Sequence, residues 1–123
     1  MPDGDIPAAK RAMTISHHDL SDGAAVITLS GRVTLGTTSD QILTVTEELL
    51  RDGKRTIIFD LAGVTGIDST GIGRFISSYN KILTVRGEMR MAGATGQLLD
   101  VFHVSQLDRV FPFFATLTEA AAA

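Results

Sequence analysis

Thr56-Ile57-Ile58-Phe59-Asp60-Leu61-Ala62-Gly63-Val64-Thr65-Gly66-Ile67-Asp68-Ser69-Thr70-Gly71-Ile72-Gly73 is the stretch on which the fold turns. Residues 56–61 form an apolar run with little alternation. Such a run predicts a strand covered on both faces, and so a sheet with helices packed on it. Residues 62–69 read as the loop that follows. Beyond them the period changes, because Ile72, Phe75, Ile76, Tyr79 and Leu83 recur at spacings of three and four, as on the apolar face of a helix. Arg74, Ser77, Ser78 and Lys81 fall on the opposite side, which by default faces solvent, and Gly87 reads as the terminator.

Upstream, Met13 to His18 alternates apolar and polar residues, as a strand with one wet face does. Asp22-Gly23 is a turn signal, and residues 25–29 form a second strand, so a hairpin opens the fold. Residues 31–36 lead out of it as a loop. Thr38 with Gln41 has the capping-box pattern, which predicts a helix from Thr38 with Ile42, Val45 and Leu49 on its inner face and Gly53 just past its end.

Downstream, Met89 and Met91 alternate with Glu88 and Arg90 in a short strand, and Thr95 can cap a third helix carrying Leu98, Val101 and Phe102. Pro112 confines any strand in residues 110–117 to a short or edge position. Thr118-Glu119-Ala120 and the closing alanines favour a final helical turn or two. The predicted order is β-β-α-β-α-β-α, then a weak strand and helix. That is an α/β fold with a mixed sheet of four to five strands and helices packed mainly on one face. Residues 1–12 show no period and read as a disordered tail, leaving 13–123 as one domain.

Composition narrows the function. The chain has 123 residues, 44% hydrophobic and 20% charged, enough for one core without staples. With no cysteine, disulfides, thiol catalysis and cysteine zinc sites are excluded. A net charge of −3 argues against an electrostatic grip on nucleic acid. No apolar run approaches a membrane span, and Met1-Pro2-Asp3-Gly4-Asp5 is not the cationic start of a secretory signal. The expectation is a cytosolic domain that contacts neither nucleic acid nor membrane.

The residues that carry chemistry cluster where the central strand hands over to its helix. Asp68, Ser69 and Thr70 can each cap that helix, whose start has unpaired amides and partial positive charge. Gly71 and Gly73 keep the backbone bare, for close packing or for approach by another protein. Loop hydroxyls at such a place are within reach of a kinase. A nucleophile elbow does not fit, since Ile67 stands where glycine should precede Ser69 by two. A phosphate-binding loop does not fit either, because no lysine follows the glycines, and Gly71-Ile72-Gly73 lacks the third glycine of a dinucleotide fingerprint. His17 and His18 point to opposite faces of one strand and His103 is remote, so no metal site is expected. Asp60 reads as the cap of the loop after its strand, and Phe111, Phe113 and Phe114 as packing residues rather than an exposed patch.

The segment Ile57 to Gly73 resembles the signature of STAS domains, and Asp68-Ser69-Thr70-Gly71-Ile72-Gly73 is similar to the hallmark of bacterial anti-sigma factor antagonists. The likeness extends to Gly31, to Gly87-Glu88-Met89 and to Phe102-His103-Val104-Ser105-Gln106-Leu107. The resemblance implies a STAS fold and a non-enzymatic regulator without a cofactor. It implies that Ser69 is the phosphorylation site, with Thr70 as the fallback acceptor. It places partner contacts at Asp68, Thr70, Gly71, Ile72, Gly73, Arg74 and Thr34. The implied partners are an anti-sigma factor serine kinase, which uses ATP and binds the unmodified form, and a PP2C-type metal-dependent phosphatase that resets the switch. The pathway class is partner switching on a sigma factor in stress or sporulation signalling.

The sequence departs from that pattern at one place. Many antagonists read Gly-x-Leu-Asp after the second strand; here the residues are Gly31-Arg32-Val33-Thr34, so a hydroxyl replaces the carboxylate. Thr34 read alone is a turn or cap residue. Two rival readings keep the fold: a stressosome-type scaffold subunit that self-associates, and a nucleotide or small-ligand module using the helix start at Gly71 as an anion pocket.

Overall fold

The computed structural model describes residues 13–123, so the expected tail over residues 1–12 lies outside the described residues. Two strands open the fold, β1 (Thr14–Ser21) and β2 (Ala24–Val33), joined by a turn at Asp22-Gly23. Then come α1 (Thr37–Arg51), β3 (Thr56–Ile67), α2 (Ser69–Thr84), β4 (Glu88–Ala92), α3 (Gly96–Val104), β5 (Phe113–Phe114) and α4 (Leu117–Ala122). The strands lie in chain order in one five-stranded sheet; β1 and β2 are antiparallel, and the rest are parallel.

Alternation along the strands divides the interior in two. Ala25, Ile27 and Leu29 of β2, Ile57, Phe59 and Leu61 of β3, and Met89 and Met91 of β4 share a core with Ile42 and Leu49 of α1, Phe75 and Ile82 of α2, and Leu98 and Phe102 of α3. The intervening residues Val26, Ile58 and Ala92 point to the other face and are covered by Ala120 of α4 with Phe114 and Leu117. Three helices therefore pack on one face and a short fourth on the other, as the unbroken apolar run of β3 requires. Arg90 ties the fourth helix down, donating to the Ala120 carbonyl at 2.9 Å.

An aromatic chain locks α2 in place. Phe59 and Phe75 meet edge-to-face at 5.2 Å between centroids, and Phe75 meets Phe102 at 5.9 Å. The chain continues through Phe113 and Phe111 to Tyr79 on α2 itself. The phenylalanines near Pro112 thus pack inward, as expected. Each such pair adds roughly 0.5–1.5 kcal/mol beyond area burial.

Several boundaries differ from the sequence reading. Residues 31–33 and 62–67 are strand rather than loop, because β2 and β3 stay paired through Val33↔Ile67. The register shifts twice on the way, so β3 holds an extra residue opposite β2 at each shift, and glycines Gly63 and Gly66 lie in that part. Bulges of this kind bend and twist a strand while preserving the ladder. The first helix starts at Thr37 with Gly36 as its cap and no side-chain bond, so Thr38 does not cap it. Thr95 occupies the cap position of α3, also without a side-chain bond. The second helix stops at Thr84. Gly87 is needed for another reason: a Cβ there would stand 2.6 Å from the Arg55 carbonyl oxygen.

Candidate functional site

The carboxyl ends of β2 and β3 run side by side to Val33 and Ile67, and this delivers two loops to one place. Asp68 follows β3 directly and is the N-cap of α2, with extended backbone. Its Oδ1 accepts from the Gly71 amide at 2.8 Å, and its Oδ2 accepts from the Leu35 amide at 3.1 Å. Its own amide donates to the Val33 carbonyl at 3.3 Å. One side chain thus fixes the start of α2 and the loop between β2 and α1. The Gly71 amide is the main cause that holds the Asp68 carboxyl below its ordinary pKa, with the Leu35 amide adding to it against partial burial. The carboxylate is committed to charge at neutral pH.

Ser69 is exposed at the first position of α2, and Thr70 beside it is half-buried. Of the three residues expected to cap, only Asp68 does so. The two glycines differ in kind. Gly71 is buried, and a Cβ on it would collide with the Val33 carbonyl oxygen and stand 2.8 Å from Ile67 Cγ1. Gly73 is partly exposed, and a Cβ there meets nothing within 4 Å. Glycine inside a helix costs about 1 kcal/mol relative to alanine, a cost the fold itself does not require at Gly73.

Thr34 lies one residue before Leu35, so the Asp68 bond brings it to the same end as Ser69. Ile72 packs partly against the core. Arg74 is drawn sideways into an ion pair with Asp40 of α1, and its buried Nε has no partner among the described residues. Ser78, expected on the solvated side, is fully buried with no partner for its hydroxyl among the described residues, while Ile76 and Leu83, expected inside, are exposed. The buried stripe of α2 is Gly71, Phe75, Ser78 and Ile82. Apolar spacing finds only Phe75 of it: Gly71 and Ser78 are small, and the spacing puts Leu83 inside where Ile82 is buried. Nothing in the pattern marks Leu35 either, although it is 77% exposed beside the site.

Two clefts flank the start of α2, of about 60 Å³ beside Thr34 and Leu35 and about 120 Å³ between Gly66 and Leu98. Both are small against the roughly 300–1,000 Å³ of pockets that enclose a small molecule. Among the described residues no three His, Asp or Glu side chains converge as a metal cage. His17 and His18 are exposed on β1, and His103 bonds Asp108 at 2.8 Å. Asp60 accepts from the Ala62 amide at 3.2 Å, but both lie within β3 at its first register shift, so the expected loop cap is a bond inside a bulged strand. No helix among the described residues is long and apolar enough to cross a membrane.

A family model for the STAS domain matches residues 18–120. Comparison with curated protein sequences finds no match. Among solved structures, an anti-sigma factor antagonist from Mycobacterium paratuberculosis is similar with a TM-score of 0.78 at 23% identity, covering 94% of this chain and 97% of that one. The Bacillus cell fate determinant SpoIIAA in its phosphorylated form gives 0.70 at 21% identity, over 87% and 96% of the two chains. A sulfate transporter family protein from Wolinella succinogenes gives 0.72 at 16% identity, over 81% and 83%. At these identities the likeness establishes a shared fold.

Proposed function

This chain belongs to the STAS domain family, and we propose that within it the chain is an anti-sigma factor antagonist switched by phosphorylation of Ser69. The observation that carries the reading is Ser69 itself, exposed at the start of α2 next to a carboxylate whose two oxygens are already engaged. Two of the similar folds, the antagonist from Mycobacterium paratuberculosis and phosphorylated SpoIIAA, support it. In this role the domain is a substrate and a ligand rather than an enzyme, and it works in the cytoplasm.

The physics of the switch is local. A serine kinase anti-sigma factor transfers the γ-phosphoryl group of ATP to the Ser69 hydroxyl, releasing ADP and a proton. The product carries roughly −1.5 to −2 charges at neutral pH. The Gly71 amide, one of the donors that would welcome this anion, is held by Asp68. The phosphate therefore stands beside a charged carboxylate with fewer free amides than a bare helix start offers. A partner surface fitted to a neutral hydroxyl then faces a desolvated dianion, at a cost of several kcal/mol. Each ~1.4 kcal/mol is tenfold in affinity, so the effect is large enough to end binding. Hydrolysis by a PP2C-type phosphatase restores the hydroxyl.

The test is a pull-down from host lysate with and without ATP, followed by mass spectrometry of the peptide spanning residues 68–74. The reading predicts capture of an anti-sigma factor that weakens with ATP, and a phosphate on Ser69. A phosphate on Thr70 instead would move the switch by one residue. Large assemblies in light scattering without any kinase, or stabilisation by nucleotide in a thermal shift, would favour the scaffold or ligand-binding readings.

A further inference from the structure

The two edges of the sheet differ. The strand order places β5 at one edge and β1 at the other. β5 is two residues long and follows Pro112, so it offers a second chain little to pair with. β1 runs for eight residues and pairs with β2 on one side; on its other side no strand lies among the described residues. Such an edge presents a row of unpaired amides and carbonyls.

Folds protect a long edge with proline, lysine, a bulge or a covering element. β1 is protected at one end only. Its register shifts between Asp19 and Ser21, and Asp19 is bridged to the buried Lys54 at 3.3 Å. From Thr14 to His18 the pairing with β2 is regular, and these residues include no proline, lysine, arginine or acid. Ile15 and His17 fall on the side of the helices, and Thr14, Ser16 and His18 on the other. His17 is exposed although it faces the helix side, so none of the described helices overhangs the edge. A further strand can approach without displacing anything described.

We infer that the edge from Thr14 to His18 is the seam of a homodimer, in which β1 pairs antiparallel with β1 of a second copy about a two-fold axis through Ser16. The side chains select both occupant and register. With Ser16 opposite its own copy, Thr14 faces His18 and Ile15 faces His17. Each hydroxyl then meets a hydrogen-bonding group, extending the row that Thr14 already begins with Ser30 of β2. The half-buried Ile15 gains the cover of an imidazole ring. Moving the axis to His17 opposes two imidazoles and sets the Asp19 carboxylate against Ile15, and moving it to Ile15 runs the seam past the start of β1. A two-fold seam closes on itself, so the product is a dimer and not the larger assembly of a scaffold. A seam of this length falls at the small end of protein interfaces, below about 1,200 Å², so the dimer is weak and depends on concentration. The inference does not rest on the proposed function, since Asp68, Ser69 and their bonds at Gly71 and Leu35 lie outside the seam.

The experiment follows the mass of the full chain by analytical sedimentation from about 10 µM to about 1 mM, the range in which a weak interface is read. The wild type is compared with Ser16→Lys, Ser16→Glu, an equal mixture of those two variants, and Thr118→Lys on α4 as the control. Ser16 and Thr118 are exposed, and native-like amide spectra are required of each variant. The wild type and the control should pass from monomer toward dimer across the range. Each Ser16 variant alone should raise the dissociation constant by about tenfold or more, because the axis sets the new charge against itself. The mixture should recover dimerisation to within about twofold of the wild type or better, as lysine then faces glutamate. A wild type that stays monomeric throughout, as it does if the edge is already filled within the full chain, overturns the inference. So does a dimer that Ser16→Lys leaves intact, or one lost in both variants and not restored on mixing.

Discussion

Gly71 lies directly against the Val33 carbonyl, so that the first turn of α2 and the end of β2 touch through main chain alone. The same carbonyl accepts from the Asp68 amide. This contact sets how far the helix start sits from the sheet, and therefore where Ser69 is presented.

Alanine at the two glycines should accordingly act in opposite directions. Gly71→Ala forces β2 and α2 apart and is expected to destabilise by about 1–3 kcal/mol, as overpacking does. Gly73→Ala enters open space and should stabilise by roughly 0.5–1 kcal/mol through helix propensity. Urea unfolding of both variants measures the difference, and equal effects would mean that the helix is not seated against Val33.

Asp68 gives the fold an acid sensitivity of known sign. Its folded pKa is lowered, first by the Gly71 amide, so near its titration the unfolded chain binds more protons than the folded one. The stabilisation is complete above the unfolded value of about 3.9 and is lost as pH falls through the lower folded value. Asp68→Asn keeps an acceptor for Gly71 but turns an amide group toward the Leu35 donor. The wild type should be the more stable at about pH 6, and the gap should narrow as pH falls below the ordinary aspartate value of about 3.9. A gap independent of pH would show that the carboxylate charge contributes nothing.

Ser78 holds a hydroxyl in the interior without a partner among the described residues. Ser78→Ala removes an unsatisfied group at nearly constant volume, and an unmet buried hydroxyl costs about 1–3 kcal/mol. The variant should be as stable as the wild type or up to about 1–2 kcal/mol more so by thermal unfolding. Clear destabilisation would point to a hydrogen bond at Ser78.

The sheet and its helices were legible because their signals are periodic. The run Ile57-Ile58-Phe59 fits a covered strand, and α2 announced itself through Phe75 and Tyr79. The strand ends were not legible. Gly31, Gly63 and Gly66 look like loop residues, yet two register shifts keep them in the ladder. The inner face of α2 was half misread, since Gly71 and Ser78 are buried for their small size, which hydrophobic spacing does not register. At the site, Asp68-Ser69-Thr70-Gly71 was visible as a cap, and the structure reduces the cap to Asp68 alone. Leu35 was invisible because its place depends on a bond spanning 33 positions of sequence.

The direct test of the switch is the affinity of two variants for the anti-sigma factor by titration calorimetry. Ser69→Ala should bind within about twofold of the unmodified wild type, and Ser69→Asp should lose about tenfold to a hundredfold, roughly 1.4–2.8 kcal/mol. Equal affinities for the two would contradict the account, since the charge at this position would then not govern binding.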